Sequence, residues 1–234
     1  MQRLILAVLV ACGLAAAPAS AEQVDLELVL LADASGSIDE EEIRFQRDSY
    51  AEALAHPEIL TAIRVGGYLG RIAVSFVEWG DVFHQDVVVP WTVIDGPESA
   101  VAFGDALRTA PRRAFGGNAI GQALSFATGH IERNDLDGER KVIDLSGDSA
   151  ANFNGLSIAE GRAEALAAGI TINGLAIACR HCSGRPIAYD LEARFEREII
   201  GGPGSFVISA ESREKFAEAV RRKLLLEIAS AEAD

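Results

Sequence analysis

A wholly apolar run, Leu28-Val29-Leu30-Leu31-Ala32, ends abruptly in Asp33-Ala34-Ser35-Gly36-Ser37. Before it the pattern alternates, with Val24, Leu26 and Leu28 apolar and Asp25 and Glu27 acidic. A strand that turns apolar on both faces needs cover on both, which predicts a central strand of a parallel sheet. Such sheets bind their ligands beyond the carboxyl ends of the strands, and the oxygen-rich pentapeptide falls there. A carboxylate and two hydroxyls at alternate positions can converge on one point. Oxygen-only donors of that kind suit a hard divalent cation.

Acidic residues 39–42 open a helix whose Ile43, Tyr50 and Leu54 share one face, and acids in a first turn complement the helix dipole. Ser37-Ile38-Asp39-Glu40 reads as a capping box, with Ser37 closing the helix start. Strands are predicted over 71–79 and 82–89. A hairpin turn at Gly80-Asp81 joins them and makes the second an antiparallel edge. Helices over 97–108, 119–131, 156–168, 190–199 and 211–228 alternate with strands over 141–145, 170–177 and 205–209. In the last helix Phe216, Val220, Leu224 and Ile228 point inward. The alternation predicts a doubly wound α/β fold: a mostly parallel central sheet with one antiparallel edge strand and helices on both faces. Asp144, inside a strand, is expected to be a buried, hydrogen-bonded structural carboxylate. Glu78 and Trp79 either line the rim of the strand-end site or pack in the core.

The first 21 residues read as a secretory signal peptide: Arg3, an apolar stretch over 4–17, and the small residues Ala19-Ser20-Ala21. That leaves residues 22–234 as one domain and places it in the periplasm or outside the cell. Leu9-Val10-Ala11-Cys12 supports a rival reading, lipid anchoring at Cys12. No later segment is long and apolar enough for a transmembrane helix. Thirty-five acids against 21 bases give a net charge of −14. Such a surface repels nucleic acid and anionic membranes.

Cys179 and Cys182 stand as Cys-Arg-His-Cys. In an oxidising compartment a short-range disulfide is expected. A Cys-x-x-Cys after a strand also resembles the redox motif of thioredoxin-like oxidoreductases, and a thiol-disulfide oxidoreductase or redox sensor is the alternative function. Only one strand is expected after the pair, fewer than that fold requires. His56, His84, His130 and His181 are scattered and form no zinc pair. No Gly-x-Ser-x-Gly elbow and no Walker lysine is present.

Asp33-Ala34-Ser35-Gly36-Ser37 resembles the metal-ion-dependent adhesion site of von Willebrand factor type A domains. Gly116-Gly117-Asn118-Ala119-Ile120-Gly121 is similar to the family's second metal loop, and Ser146-Gly147-Asp148 to its third. Residues 77–80, 89–92, 143–148, 172–177 and 200–204 resemble an exported bacterial single-domain branch catalogued as a domain of unknown function. The resemblance implies that Ser35 and Ser37 bind a metal directly, Asp33 directly or through water, and Asp148 through water. Asn118 stands where the family has a threonine. The metal implied is Mg²⁺, or Mn²⁺ or Ca²⁺ in its place. The implied function is adhesion-type, not enzymatic: an open coordination position accepts an Asp or Glu carboxylate of a protein or peptide partner. Glu40 and Glu41 sit where some integrin-like domains hold a second ion, though dipole stabilisation accounts for them more simply. The resemblance further implies that the last helix shifts when the metal site rearranges.

Overall fold

The alternation along β1 (Glu22–Asp33) decides which helices lie on which face. Leu26, Leu28, Leu30 and Ala32 enter one apolar core with Tyr50, Leu54, Ile59, Phe103 and Phe216. Val29 and Leu31 enter the other with Ile120, Leu124, Ile143, Leu145 and Phe195. A computed structural model describes residues 21–178 and 189–229. The leader with Cys12 and the pair Cys179 and Cys182 lie outside the described residues.

Five further strands complete one sheet: β2 (Ile72–Trp79), β3 (Gln85–Ile94), β4 (Leu136–Gly147), β5 (Thr171–Ile177) and β6 (Val207–Ala210). Their order is β3-β2-β1-β4-β5-β6. All neighbours are parallel except β2 and β3. On the first face lie α1 (Glu40–Leu54), α2 (Pro57–Val65), α3 (Pro97–Thr109) and α7 (Arg213–Ala229). On the second lie α4 (Ile120–Glu132), α5 (Ile158–Ala167) and α6 (Leu191–Arg194), which continues as a π-helical turn, Phe195–Ile199. The expected fold class is the one observed. From β1 the chain leaves over the first face to β2, and from β4 over the second face to β5. The crevice between those departures, at the tops of β1 and β4, is where such sheets bind ligands.

Three local expectations need correction. The α1 cap is Asp39, not Ser37: Asp39 Oδ1 accepts from the Glu41 and Glu42 amides at 2.7 and 2.9 Å, and Glu42 Oε2 accepts from the Asp39 amide at 2.9 Å. A turn in which the Ile38 amide donates to the Ser35 carbonyl (3.0 Å) delays the helix and leaves Ser37 uninvolved in capping. Strand β3 starts later than predicted, because Asp81 folds the turn onto itself by accepting from the Phe83 amide at 3.0 Å. Helix α2 has no counterpart among the expected elements. It follows α1 almost directly, capped by His56 and started by Pro57.

The edges are irregular. The β2–β3 register shifts between Val74 and Phe76, and the exposed Pro90 lies in the irregular part of β3. At the opposite edge β6 has only four residues.

Candidate functional site

Asp33 ends β1 and is fully buried. Its Oδ1 accepts from the Ser35 amide at 2.8 Å, and its Oδ2 from the Asp148 amide at 3.4 Å. Ser35 Oγ lies 3.3 Å from Ser37 Oγ, which donates to Asp148 Oδ1 at 3.1 Å. Asp33, Ser35, Ser37 and Asp148 thus form one continuous run of contacts across the crevice. Two carboxylates and two hydroxyls face a common space.

The electrostatics of that space are unfavourable as they stand. Burial, and after it the nearby negative charge of Asp148, push the Asp33 carboxyl up to about 7. Amide donors from Ser35 and Asp148 pull it only partly back. Asp33 has no Lys, Arg or His ion-pair partner among the described residues. A carboxylate so placed is relieved by a mobile cation. The donor set fits a hard one, since all four side chains offer oxygen. Among the described residues no three His, Cys, Asp or Glu side chains cluster to hold a metal; the set here depends on hydroxyls.

Asn118 lies in the neighbouring loop, nearly buried, with its carbonyl accepting from the Phe153 amide at 2.8 Å. Among the described residues no hydrogen bond joins its side chain to the other four. What draws its loop in is backbone: the Gly36 amide donates to the Gly116 carbonyl at 2.7 Å. Gly116 adopts φ +95°, and a Cβ there would collide with the Asp81 carboxylate.

Sequence reasoning missed the clamp on these loops. The Arg112 guanidinium donates to the carbonyls of Ala34 (2.8 Å), Ile38 (3.0 Å) and Ala114 (3.2 Å), and meets Glu40 Oε1 at 3.3 Å. One side chain therefore fixes the first loop against the second. Beneath them Gln46 Nε2 donates to the Asp33 carbonyl at 3.3 Å. Glu78 and Trp79 are buried and do not line a rim. Glu78 takes both arms of Arg47, at 2.8 and 2.9 Å, while Trp79 packs under the crevice.

Around the crevice the surface is aromatic. Phe83, Phe115, Phe153 and Tyr189 are exposed, Phe83 and Phe153 by 89% and 73%. Phe153 lies against Gly117, the Phe115 ring meets His84 edge-on at 6.1 Å, and Tyr189 Oη accepts from the Ala150 amide at 3.1 Å. Two of these rings, Phe115 and Phe153, stand in the sequence next to the metal-loop motifs, the signal that could have found them.

A six-stranded doubly wound sheet with one antiparallel edge and this crevice is the fold of von Willebrand factor type A domains. Proximal thread matrix protein 1 from the mussel byssus superposes with a TM-score of 0.62 at 18% identity, over 91% of this chain and 49% of that one. One structure of that protein is described as having a zinc-occupied metal-ion-dependent adhesion site motif. A von Willebrand factor type A protein from Catenulispora acidiphila gives 0.57 at 18% identity, over 88% and 43%. The pilus adhesin SpaC from Lactobacillus rhamnosus GG, in an open conformation, gives 0.55 at 17%, over 89% and 30%. The chain spans about half the length of the mussel protein and less of the other two. At these identities what is shared is the fold.

The chain belongs to the family described as "Protein of unknown function (DUF1194)", whose model matches residues 23–232. No curated protein matches it. Among the described residues no helix is long and apolar enough to cross a membrane.

Proposed function

We propose that the protein is a metal-dependent binding module that captures a carboxylate of a protein or peptide partner. The observation that carries the reading is the fully buried Asp33 carboxylate, facing Asp148 across a crevice lined by Ser35 and Ser37. Asp33, Ser35, Ser37 and Asp148 are the residues to hold Mg²⁺, or Mn²⁺ or Ca²⁺, with Asn118 contributing from the second loop. A bound cation supplies positive charge to attract an acidic side chain. The two hydroxyls leave more of that charge uncancelled than carboxylates would.

The chain's own residues do the positioning. Arg112 and the Gly36–Gly116 hydrogen bond hold the loops in register before anything binds. The exposed rings of Phe83, Phe115, Phe153 and Tyr189 offer an apolar collar around a polar centre, the composition of a protein-binding surface. The Ser37 hydroxyl rests on the Asp148 carboxylate, and among the described residues no His or Lys hydrogen-bonds to either serine hydroxyl, so binding is the reading adopted. The leader pattern of residues 1–21 supports work outside the cytoplasm.

Calorimetric titration of the metal-free protein with Mg²⁺ and Mn²⁺ tests the reading. Saturable binding is expected, lost in Asp33→Ala; equal heats for both proteins would remove the metal from the account. Capture of an envelope partner with Mg²⁺ but not with EDTA tests the second half.

A further inference from the structure

Beneath the sheet's first face lies a second group of buried ionisable side chains, with no part in the crevice. Lys223 of α7 is wholly buried, as is Asp144 of β4, and Glu227, one turn on from Lys223, is nearly so. Lys223 Nζ stands 2.5 Å from Asp144 Oδ1 and 2.6 Å from Glu227 Oε1. Asn173, cross-strand neighbour of Asp144 in the β4–β5 ladder, donates from Nδ2 to Glu227 Oε1 at 3.1 Å. The Phe206 ring covers the ammonium, its centroid 5.8 Å away.

As an ion cluster the arrangement is poor. Two carboxylates and one ammonium are taken out of water, and while Asp144 Oδ1 meets the ammonium, its Oδ2 has no hydrogen-bond donor among the described residues. Burial raises Asp144 above the ordinary carboxylate range, with Lys223 pulling partly back. Burial, and then the charge of Asp144, push Glu227 up to about 7. Burial disfavours the ionised carboxyls, and the short contact gives an ammonium proton a direct path to Asp144. A neutral amine in contact with a neutral carboxylic acid, beside a third group able to shuttle protons, is poised to condense.

We propose that Lys223 and Asp144 form an intramolecular amide cross-link, with Glu227 as the proton relay. The ammonium proton passes to the Asp144 carboxylate, leaving amine and acid. Nζ then attacks Cγ, forming the N–C bond. Glu227 takes a proton from Nζ and returns it to the departing hydroxyl, the C–O bond breaks, and water leaves. One ammonium and one carboxylate become one amide and one water, with no oxidant or activating co-reactant. Holding the reactants together supplies effective concentrations that reach about 10⁵ M or more in well-oriented intramolecular reactions. The product removes two buried charges and leaves Glu227 beside Asn173. A helix so joined to β4 cannot slide along the sheet, which opposes the helix shift that the family resemblance implied. The proposal is independent of metal binding at the crevice.

The test is mass spectrometry of the intact, full chain after denaturation and thiol reduction. A mass lower by one water than the sequence requires is expected. Trypsin should then yield a branched species joining residues 142–162 to residues 223–234. Glu227→Gln should sharply lower the cross-linked fraction, whereas Glu160→Gln, on the surface, should not. An unshifted mass with separate linear peptides overturns the proposal. Loss of ammonia with a branch at Asn173 overturns the assignment of Asp144.

Discussion

The molecule buries carboxylates in two places and treats them in opposite ways. At the top of the sheet Asp33 faces Asp148 with hydroxyls between and no built-in cation for Asp33. Below the first face Asp144 and Glu227 both meet one nitrogen carried on the chain itself, Lys223 Nζ. Both sites push a carboxyl up to about 7, and in both the chief cause is burial. The difference is access. The upper pair lies at strand ends among glycine-bearing loops, beside the exposed Gly36 and the half-buried Ser37. The lower group is sealed by α7 and Phe206, so whatever neutralises it has to be present when the chain folds.

The largest effect should come from removing Lys223, the group that both buried carboxyls meet. Lys223→Met leaves two buried carboxylates facing each other and should cost about 3–5 kcal/mol by chemical denaturation. Substituting Asp144, Lys223 and Glu227 together by apolar residues of similar size should restore most of that. If Lys223→Met alone is neutral, the contrast between the two sites fails.

Next comes pH. Asp33 and Glu227 keep their protons in the folded state to about 7, whereas unfolded carboxylates release them well below that. The folded state binds more protons across this window, so the metal-free protein loses stability as pH rises towards 7, by several kcal/mol in all. Thermal unfolding in EDTA at a series of pH values measures it. Saturating Mg²⁺ should cancel the share due to Asp33 and leave the share due to Glu227, which only Glu227→Gln removes.

Loosening the loops should matter less. Arg112→Met removes the contacts to Ala34, Ile38 and Ala114 and should weaken Mg²⁺ binding about 10-fold, the lower end for residues that orient a metal's ligands. Calorimetry reads it, with circular dichroism unchanged. The same substitution should leave the Lys223–Asp144 cross-link intact. Smallest of all, Asn118→Thr should tighten Mg²⁺ a few-fold, by less than about 1 kcal/mol, because a hydroxyl replaces an amide in the second loop. No change in that titration would mean that residue 118 stands outside the coordination sphere.

Much of the fold was legible because its signals are local. The apolar run before Asp33, the alternation of β1 and the inward stripe of α7 are periodic patterns, and the motifs around Asp33, Gly116 and Asp148 are contiguous. Competition between local motifs misled at Ser37, where Asp39 makes the better cap two residues later. Arg112 gave no signal because it reads backbone carbonyls, which every sequence has. Asp144 was read as buried, but its partner Lys223 was out of reach. The two are far apart along the chain, and a lysine on the inward face of an amphipathic helix looks like a break in the pattern until the sheet beneath it is known.

The two edges of the sheet have a consequence of their own. Strand β3 is interrupted by a register shift and carries Pro90, which has no amide hydrogen to donate, and β6 is only four residues long. A strand from another molecule would find no continuous ladder to extend on either side. Among the described strands the sheet is therefore poorly suited to lateral growth, which protects a crowded chain from stacking into fibres. Recognition by strand addition is disfavoured for the same reason. Any visitor is sent to the loops.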